Sequence, residues 1–335
     1  MSLQILRWPV RFVLAVLSVT GLLAITFGTM IATPLRQPPE LASITVGVRK
    51  VDWSDLPALQ RFQARDGTEL AYRTYEPVGT PGVRIALLVH GSAGSSVNMH
   101  AVGKALAAAG IRAVAVDMRG HGRSGARGDI AYLGQLDDDL ADTVAHVRTM
   151  WPTLPITLVG HSAGGGFVLR IAGGPSGDLF ERFVLLAPFL DPFAATSKPN
   201  AGSSAWAQPN VPRILAINLL QRFGITAFEH LPVVAFALPA GSALRATGAY
   251  SYALLTNFGT GLDHKLYLNR VRRPVTVIAG SADELMRSER YDEVMRRPGL
   301  DLKAIVVPEV DHMGVLSATA ALEAITNAVK RPSGT

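Results

Sequence analysis

Hydrophobic and polar positions divide this chain into segments of distinct character. Residues 12–35 carry no charged side chain, and a helix needs about 20 apolar residues to cross the hydrocarbon core of a bilayer. The run is longer than the ~7–15-residue core of a secretory signal peptide. It ends in Thr29-Met30-Ile31-Ala32-Thr33-Pro34, a poor cleavage site. It therefore reads as a transmembrane anchor behind a short basic segment, residues 1–11. Arg7, Arg11 and the α-amine precede it, while Arg36, Arg49 and Lys50 follow. The closest charges favour an N-terminus inside and the remainder of the chain on the outer, extracytoplasmic side. Residues 36–58, with Pro38, Pro39 and Pro57, read as a linker lying over the surface.

Beyond the linker the period shortens. Segments 59–64 and 69–75 flank Arg65-Asp66-Gly67-Thr68, a hairpin signal, because Asp-Gly supplies the positive φ of a tight turn. Near-continuous Val/Ile/Leu runs follow at 85–89, 113–116, 156–159, 183–186, 275–279 and 304–307. Such runs predict strands covered on both faces. They alternate with helical stretches at 97–109, 136–150, 163–172, 284–295 and 314–329, the pattern of a mostly parallel sheet flanked by helices. The rhythm fails between residues 191 and 273. A structureless loop of that length is improbable, so this segment reads as a helical cap inserted between core segments 59–190 and 274–335. Within it, residues 231–262 hold one charge, Arg245, and the aromatics Phe236, Tyr250, Tyr252 and Phe258. That composition suits an acyl-pocket lining, packing on the core, or contact with a membrane.

Composition narrows the picture. With 335 residues, 48% hydrophobic and 17% charged, the chain can bury a large core and is not a mainly disordered one. The absence of cysteine excludes a disulfide scaffold, a thiolate metal site and a cysteine nucleophile. The net charge of +6 suits an anionic membrane surface. No basic run is interleaved with aromatics, which argues against nucleic acid.

Candidate chemistry gathers at three places. Gly160-His161-Ser162-Ala163-Gly164 lies between a predicted strand and a predicted helix, the context in which G-x-S-x-G lifts a nucleophilic serine above a sheet. His90-Gly91-Ser92-Ala93-Gly94 follows the strand at 85–89. A tetrahedral intermediate needs two preorganised N–H donors, and the backbones of Ser92 and Ala163 are the candidates. The base should be a histidine beyond the elbow. Of His230, His264 and His312, the last follows the final strand, and the other two fall in the cap. The orienting acid should follow a strand end, where Asp283, Glu284 and Asp191 are available. Asp283 fits best, since Glu284 would already begin the predicted helix.

In this order Gly160–Gly164, the His90-Gly91 loop, Asp283 and His312 resemble the α/β-hydrolase superfamily. The stretch Asp117-Met118-Arg119-Gly120-His121-Gly122-Arg123-Ser124, the helix around Asp137-Asp138-Asp139 and Asp66-Gly67-Thr68-Glu69-Leu70-Ala71-Tyr72 resemble its monoacylglycerol lipase and lysophospholipase branch, grouped with serine aminopeptidase-like hydrolases. The resemblance covers residues 58–190 and 272–332 and leaves out the cap. It implies hydrolysis of carboxylic esters, lipid-like ones among them, without metal or cofactor. It also implies a structural role for Asp117–Ser124, with Arg119 and His121 bracing the loop under the site. A membrane-anchored serine esterase working through an acyl-enzyme is the function expected. A peptidase or amidase, an acyltransferase and a non-catalytic binding protein are the competing classes. Oligomeric state is not legible.

Overall fold

The computed structural model describes residues 3–49, 52–77, 79, 82–199, 205–239 and 246–331. Lys50 and Arg245, singled out above, lie outside them. The chain opens with helix α1 (Leu3–Ala32), which includes a stretch, Val10–Ala32, long and apolar enough to cross a membrane and exposed from Val10 through Thr26. The expected linker is partly helical. Its α2 (Ala42–Arg49) buries Ile44 and Thr45, and the Leu41 N–H donates to the Ala237 carbonyl.

Strands β1 (Gln60–Gln63) and β2 (Glu69–Tyr75) form the predicted hairpin, with Gly67 at φ 80° in its turn. There follow β3 (Ile85–Val89), α3 (His100–Ala108), β4 (Arg112–Val116), α4 (Gln135–Met150), β5 (Ile156–His161), α5 (Ala163–Ala172) and β6 (Arg182–Leu186). The inserted segment contains β7 (Ala207–Pro209), α6 (Val211–Arg222), β8 (Pro232–Phe236), β9 (Ala249–Ser251), α7 (Tyr252–Asn257) and α8 (Lys265–Leu268). The chain then returns through β10 (Val275–Gly280), α9 (Tyr291–Met295), β11 (Leu302–Val307) and α10 (Thr319–Lys330).

Eight strands form one sheet in the order β1-β2-β4-β3-β5-β6-β10-β11, antiparallel at the β1 edge and parallel from β4 onwards. The step from β3 to β4 runs towards that edge, and the step from β4 to β5 runs back across β3. Right-handed crossovers therefore place α3 and α4 on opposite faces. Strands β3, β5, β6 and β10 are buried along their whole length, as their unbroken apolar runs require.

Two expectations need correction. The cap is mixed rather than helical, because β7, β8 and β9 form an antiparallel sheet of their own. These strands run three to five residues, too short to register as an alternating pattern. The helix expected over 284–295 is confined to a 3₁₀ turn at Ser288–Arg290 followed by α9. Asp283 accounts for the late start, since its Oδ1 accepts the N–H groups of Leu285 and Met286 and holds them in a turn. The aromatic stretch of the cap is interior. Phe236, Tyr250, Tyr252 and Phe258 are all buried, three of them in the main core and Tyr252 in a small cluster with Ile217 and Val233.

Candidate active site

The sharp turn at residues 160–164 is imposed by sterics. A Cβ on Gly160 would stand 2.2 Å from the Gly164 carbonyl oxygen, and one on Gly164 would stand 2.2 Å from that of His90. Only glycine fits either position. Between β5 and α5, Ser162 is forced to φ 53°, ψ −119°, a conformation that costs about 1–3 kcal/mol and persists only where its surroundings impose it. Here they do. The Ser162 N–H donates to the Leu186 carbonyl at 2.9 Å, and the Ser162 carbonyl accepts from Gly165, Gly166 and Phe189.

The His90–Gly94 loop lies directly over this turn. A Cβ on Gly91 would approach the Ser162 Cβ to 3.2 Å and the His161 Nδ1 to 3.0 Å, so glycine permits the close approach. His90 is fully buried and locks the loop from below. Its Nδ1–H donates to the Gly91 carbonyl at 2.7 Å, and its Nε2 accepts the Met118 N–H at 3.2 Å. Burial keeps this imidazole below its ordinary pKa and hence neutral. Among the described residues the N–H groups of Ser92 and Ala163 donate to no acceptor.

The three downstream histidines each meet a different carboxylate. His312 Nδ1 lies 2.8 Å from Asp283 Oδ2, both side chains being buried. His264 Nδ1 lies 2.6 Å from Asp191 Oδ2, and the half-exposed His230 pairs with Asp129 at 2.9 Å. Glu284 takes neither role, since its Oε2 accepts the His312 backbone N–H at 3.0 Å. Burial raises the Asp283 carboxyl pKa, but the His312 charge and hydrogen bond and the two backbone N–H donors outweigh it and hold it below the ordinary value. His312 is brought to the elbow by His161. The His161 Nε2–H donates to the His312 carbonyl at 3.2 Å, and the two ring centroids lie 4.9 Å apart. Burial, then the neighbouring His312, depress His161 to about 3. Among the described residues no hydrogen bond joins the Ser162 hydroxyl to the His312 ring. Such contacts are commonly loose before substrate binds.

Residues not singled out for this role complete the loop. Tyr250, from β9 of the insertion, accepts the Ala93 N–H at 2.7 Å and donates to His121 Nε2 at 2.6 Å. His121 in turn donates from Nδ1 to the Arg119 carbonyl. The Trp206 indole donates to the Ser92 hydroxyl at 2.8 Å, and the Thr247 N–H to the Ala93 carbonyl. No local sequence signal marks Tyr250 or Trp206 as partners of a loop more than a hundred residues upstream. Arg119 clamps Asp139 with two 2.7 Å bonds and reaches Asp66 and Thr68. It thus joins the three stretches that carried the branch resemblance. Among the described residues no cluster of three or more His, Asp or Glu is placed to hold a metal ion.

Residues 83–316, which take in all of these loops, match the family described as serine aminopeptidase, S33. The monoacylglycerol lipase of Mycolicibacterium smegmatis is 33% identical over 131 residues, 39% of this chain and 46% of the relative. The human monoglyceride lipase is 30% identical over 164 residues, 48% of this chain and 52% of the relative. The chain thus spans about half the length of each. Among solved structures, a soluble variant of the Saccharomyces cerevisiae monoglyceride lipase superposes with a TM-score of 0.60 at 16% identity, covering 84% of this chain and 96% of that one. A bacterial membrane phospholipase A superposes with a TM-score of 0.54 at 16% identity, covering 97% and 99%. These superpositions establish the fold. The chain belongs to the serine aminopeptidase S33 family, and its fold is that of the α/β-hydrolases.

Proposed function

We propose that this protein is a membrane-anchored serine hydrolase that cleaves carboxylic esters of the monoacylglycerol or lysophospholipid class. The observation that carries the proposal is the buried Asp283–His312 pair, held by His161 beside the strained Ser162 turn. In this reading Ser162 Oγ attacks the ester carbonyl while His312 Nε2 takes the hydroxyl proton. The N–H groups of Ser92 and Ala163 receive the oxyanion. His312 then gives its proton to the leaving alcohol, and water, deprotonated by the same imidazole, releases the acid from the acyl-enzyme. Asp283 keeps the Nδ1 proton in place throughout. The apolar span at Val10–Ala32 would hold the enzyme at the source of a lipid substrate, with the catalytic domain on the outer side.

The test is a panel of monoacylglycerols and lysophospholipids of rising acyl length, set beside aryl esters and amino-acid arylamides. Monoacylglycerol turnover above that of the arylamides is the result expected. The family's description favours one second reading, hydrolysis of peptide-like amides, and faster arylamide turnover would establish it in place of the first.

A further inference from the structure

Helix α6 is the only stretch of the insertion with a continuous apolar stripe turned to solvent among the described residues. Val211, Leu215, Leu219 and Phe223 recur every fourth position along one side and are 51%, 57%, 41% and 76% exposed, and Ile225 continues the patch. Spacing of four residues keeps these side chains on one face of a helix. A contiguous exposed apolar patch marks an interaction site. The opposite side of α6 is satisfied, since Ala216 and Ile217 are buried.

What covers the stripe follows from where α6 sits. Helix α1 is exposed from Val10 through Thr26, and only Phe27, Met30 and Ile31 become half-buried. Helix α6 packs against this end of α1. Arg213, in its first turn, donates from Nε to the Ile31 carbonyl at 2.8 Å and from Nη2 to the Thr33 carbonyl at 2.6 Å. Asn210 donates to the same Thr33 carbonyl at 2.8 Å. These donors satisfy carbonyls that a helix C-terminus leaves orphaned. At about 1.5 Å per residue, the 23 residues of Val10–Ala32 span about 34 Å, close to the ~30 Å of a hydrocarbon core. The last turns of α1 therefore lie at the core boundary, and so does the helix packed on them. The charge pattern agrees: α6 carries Arg213 and Arg222 and no acidic residue, as suits an anionic headgroup layer.

We propose that α6 lies in the outer boundary of the bilayer, with Leu215, Leu219 and Phe223 inserted among the acyl chains. The inserted segment is thereby held against the lipid surface at a second point besides the span. The proposal rests on the reading of α1 as a span, and the experiment separates the two.

The chain has no cysteine, so single substitutions can be labelled cleanly in the full-length protein. L219C and F223C would carry an environment-sensitive nitrobenzoxadiazole fluorophore in phosphatidylcholine–phosphatidylglycerol vesicles doped with lipids bearing a nitroxide at acyl carbon 5 or 12. V19C, in the middle of α1, reports the span. M150C, exposed at the C-terminus of α4 where the chain turns towards the start of β5, reports water. The expected result is about twofold or greater quenching of the 219 and 223 labels by the carbon-5 nitroxide, with V19C quenched more by the carbon-12 nitroxide and M150C by neither. If V19C is quenched and the 219 and 223 labels behave like M150C, the α6 proposal is wrong while the span stands. If the 219 and 223 labels move to the blue without quenching, protein such as a second copy covers the stripe, and the lipid assignment is overturned. An unquenched V19C would remove the span and the proposal together.

Discussion

Ser162→Ala removes the one hydroxyl that the strained turn presents, and ester turnover should fall by on the order of 10⁶ with the fold unchanged. Circular dichroism checks the fold, and a fluorophosphonate probe that labels the parent chain should leave the variant unlabelled. The carboxylates separate just as sharply. Asp283→Asn leaves His312 without its tautomer restraint, so kcat should drop by on the order of 10³–10⁴. Asp191→Asn disturbs the His264 pair and the bond from the Phe193 N–H, and Glu284→Gln the acceptor for the His312 backbone N–H, so both should stay within about tenfold of the parent. Steady-state kinetics on one aryl ester ranks the three. Buried imidazoles set the acid limit of stability. His161 is held at about 3, whereas an unfolded histidine titrates near ~6.5. Below that pH the unfolded chain binds a proton that the folded chain refuses, so stability is lost as pH falls from about 6.5 towards 3. Burial depresses His90 and His121 in the same direction. Calorimetry between pH 7 and pH 5 should show a falling Tm, and His161→Gln should flatten the slope.

At the scale of elements, the insertion and the His90–Gly94 loop are joined by shared hydrogen bonds. Tyr250 on β9 satisfies the Ala93 N–H and His121 Nε2 at once, and Ala93 itself sits at φ 61°. Tyr250→Phe would leave two buried polar groups unpaired, at about 1–3 kcal/mol for each. The loop should relax beside Ser92, lowering kcat by about tenfold and leaving KM within twofold, which kinetics on a small soluble ester resolves. The two elements that the sequence read least well, the short strands of the insertion and the delayed α9, are those whose hydrogen-bond partners are distant or come from side chains. By contrast α5 starts and ends where its apolar pattern does, and β3 matches its run of Ile, Leu and Val residue for residue.

For the molecule as a whole, the decisive contrast is between a rigid α/β core and an apolar helix that the core leaves uncovered. The full chain should sediment with membranes and stay there through alkaline carbonate and high salt, because salt screens the basic surface but does not extract a spanning helix. Protease added outside intact spheroplasts should digest the catalytic domain, and protection would reverse the orientation. Arg213 ties the end of α1 to α6, so α1 and the insertion are joined directly rather than linked by a free tether. Within the expected linker at 36–58, α2 packs on the rest of the chain through the buried Ile44 and Thr45.

The sequence by itself determined the layered α/β architecture, because strands buried on both faces must be continuously apolar and the helices between them must follow a longer period. It also determined the elbow, where glycines flank a serine at the junction of a strand and a helix. Local spacing is enough for such features, since the atoms that require them lie within a few residues. Tertiary structure alone decided the rest. Three histidines and several carboxylates were available, and only packing assigned Asp283 to His312, Asp191 to His264 and Asp129 to His230. Packing likewise brought Tyr250 and Trp206 to a loop far upstream and turned one side of α6 outward. These pairings join residues that are distant in the chain, and their energies depend on burial and distance, which no local pattern encodes.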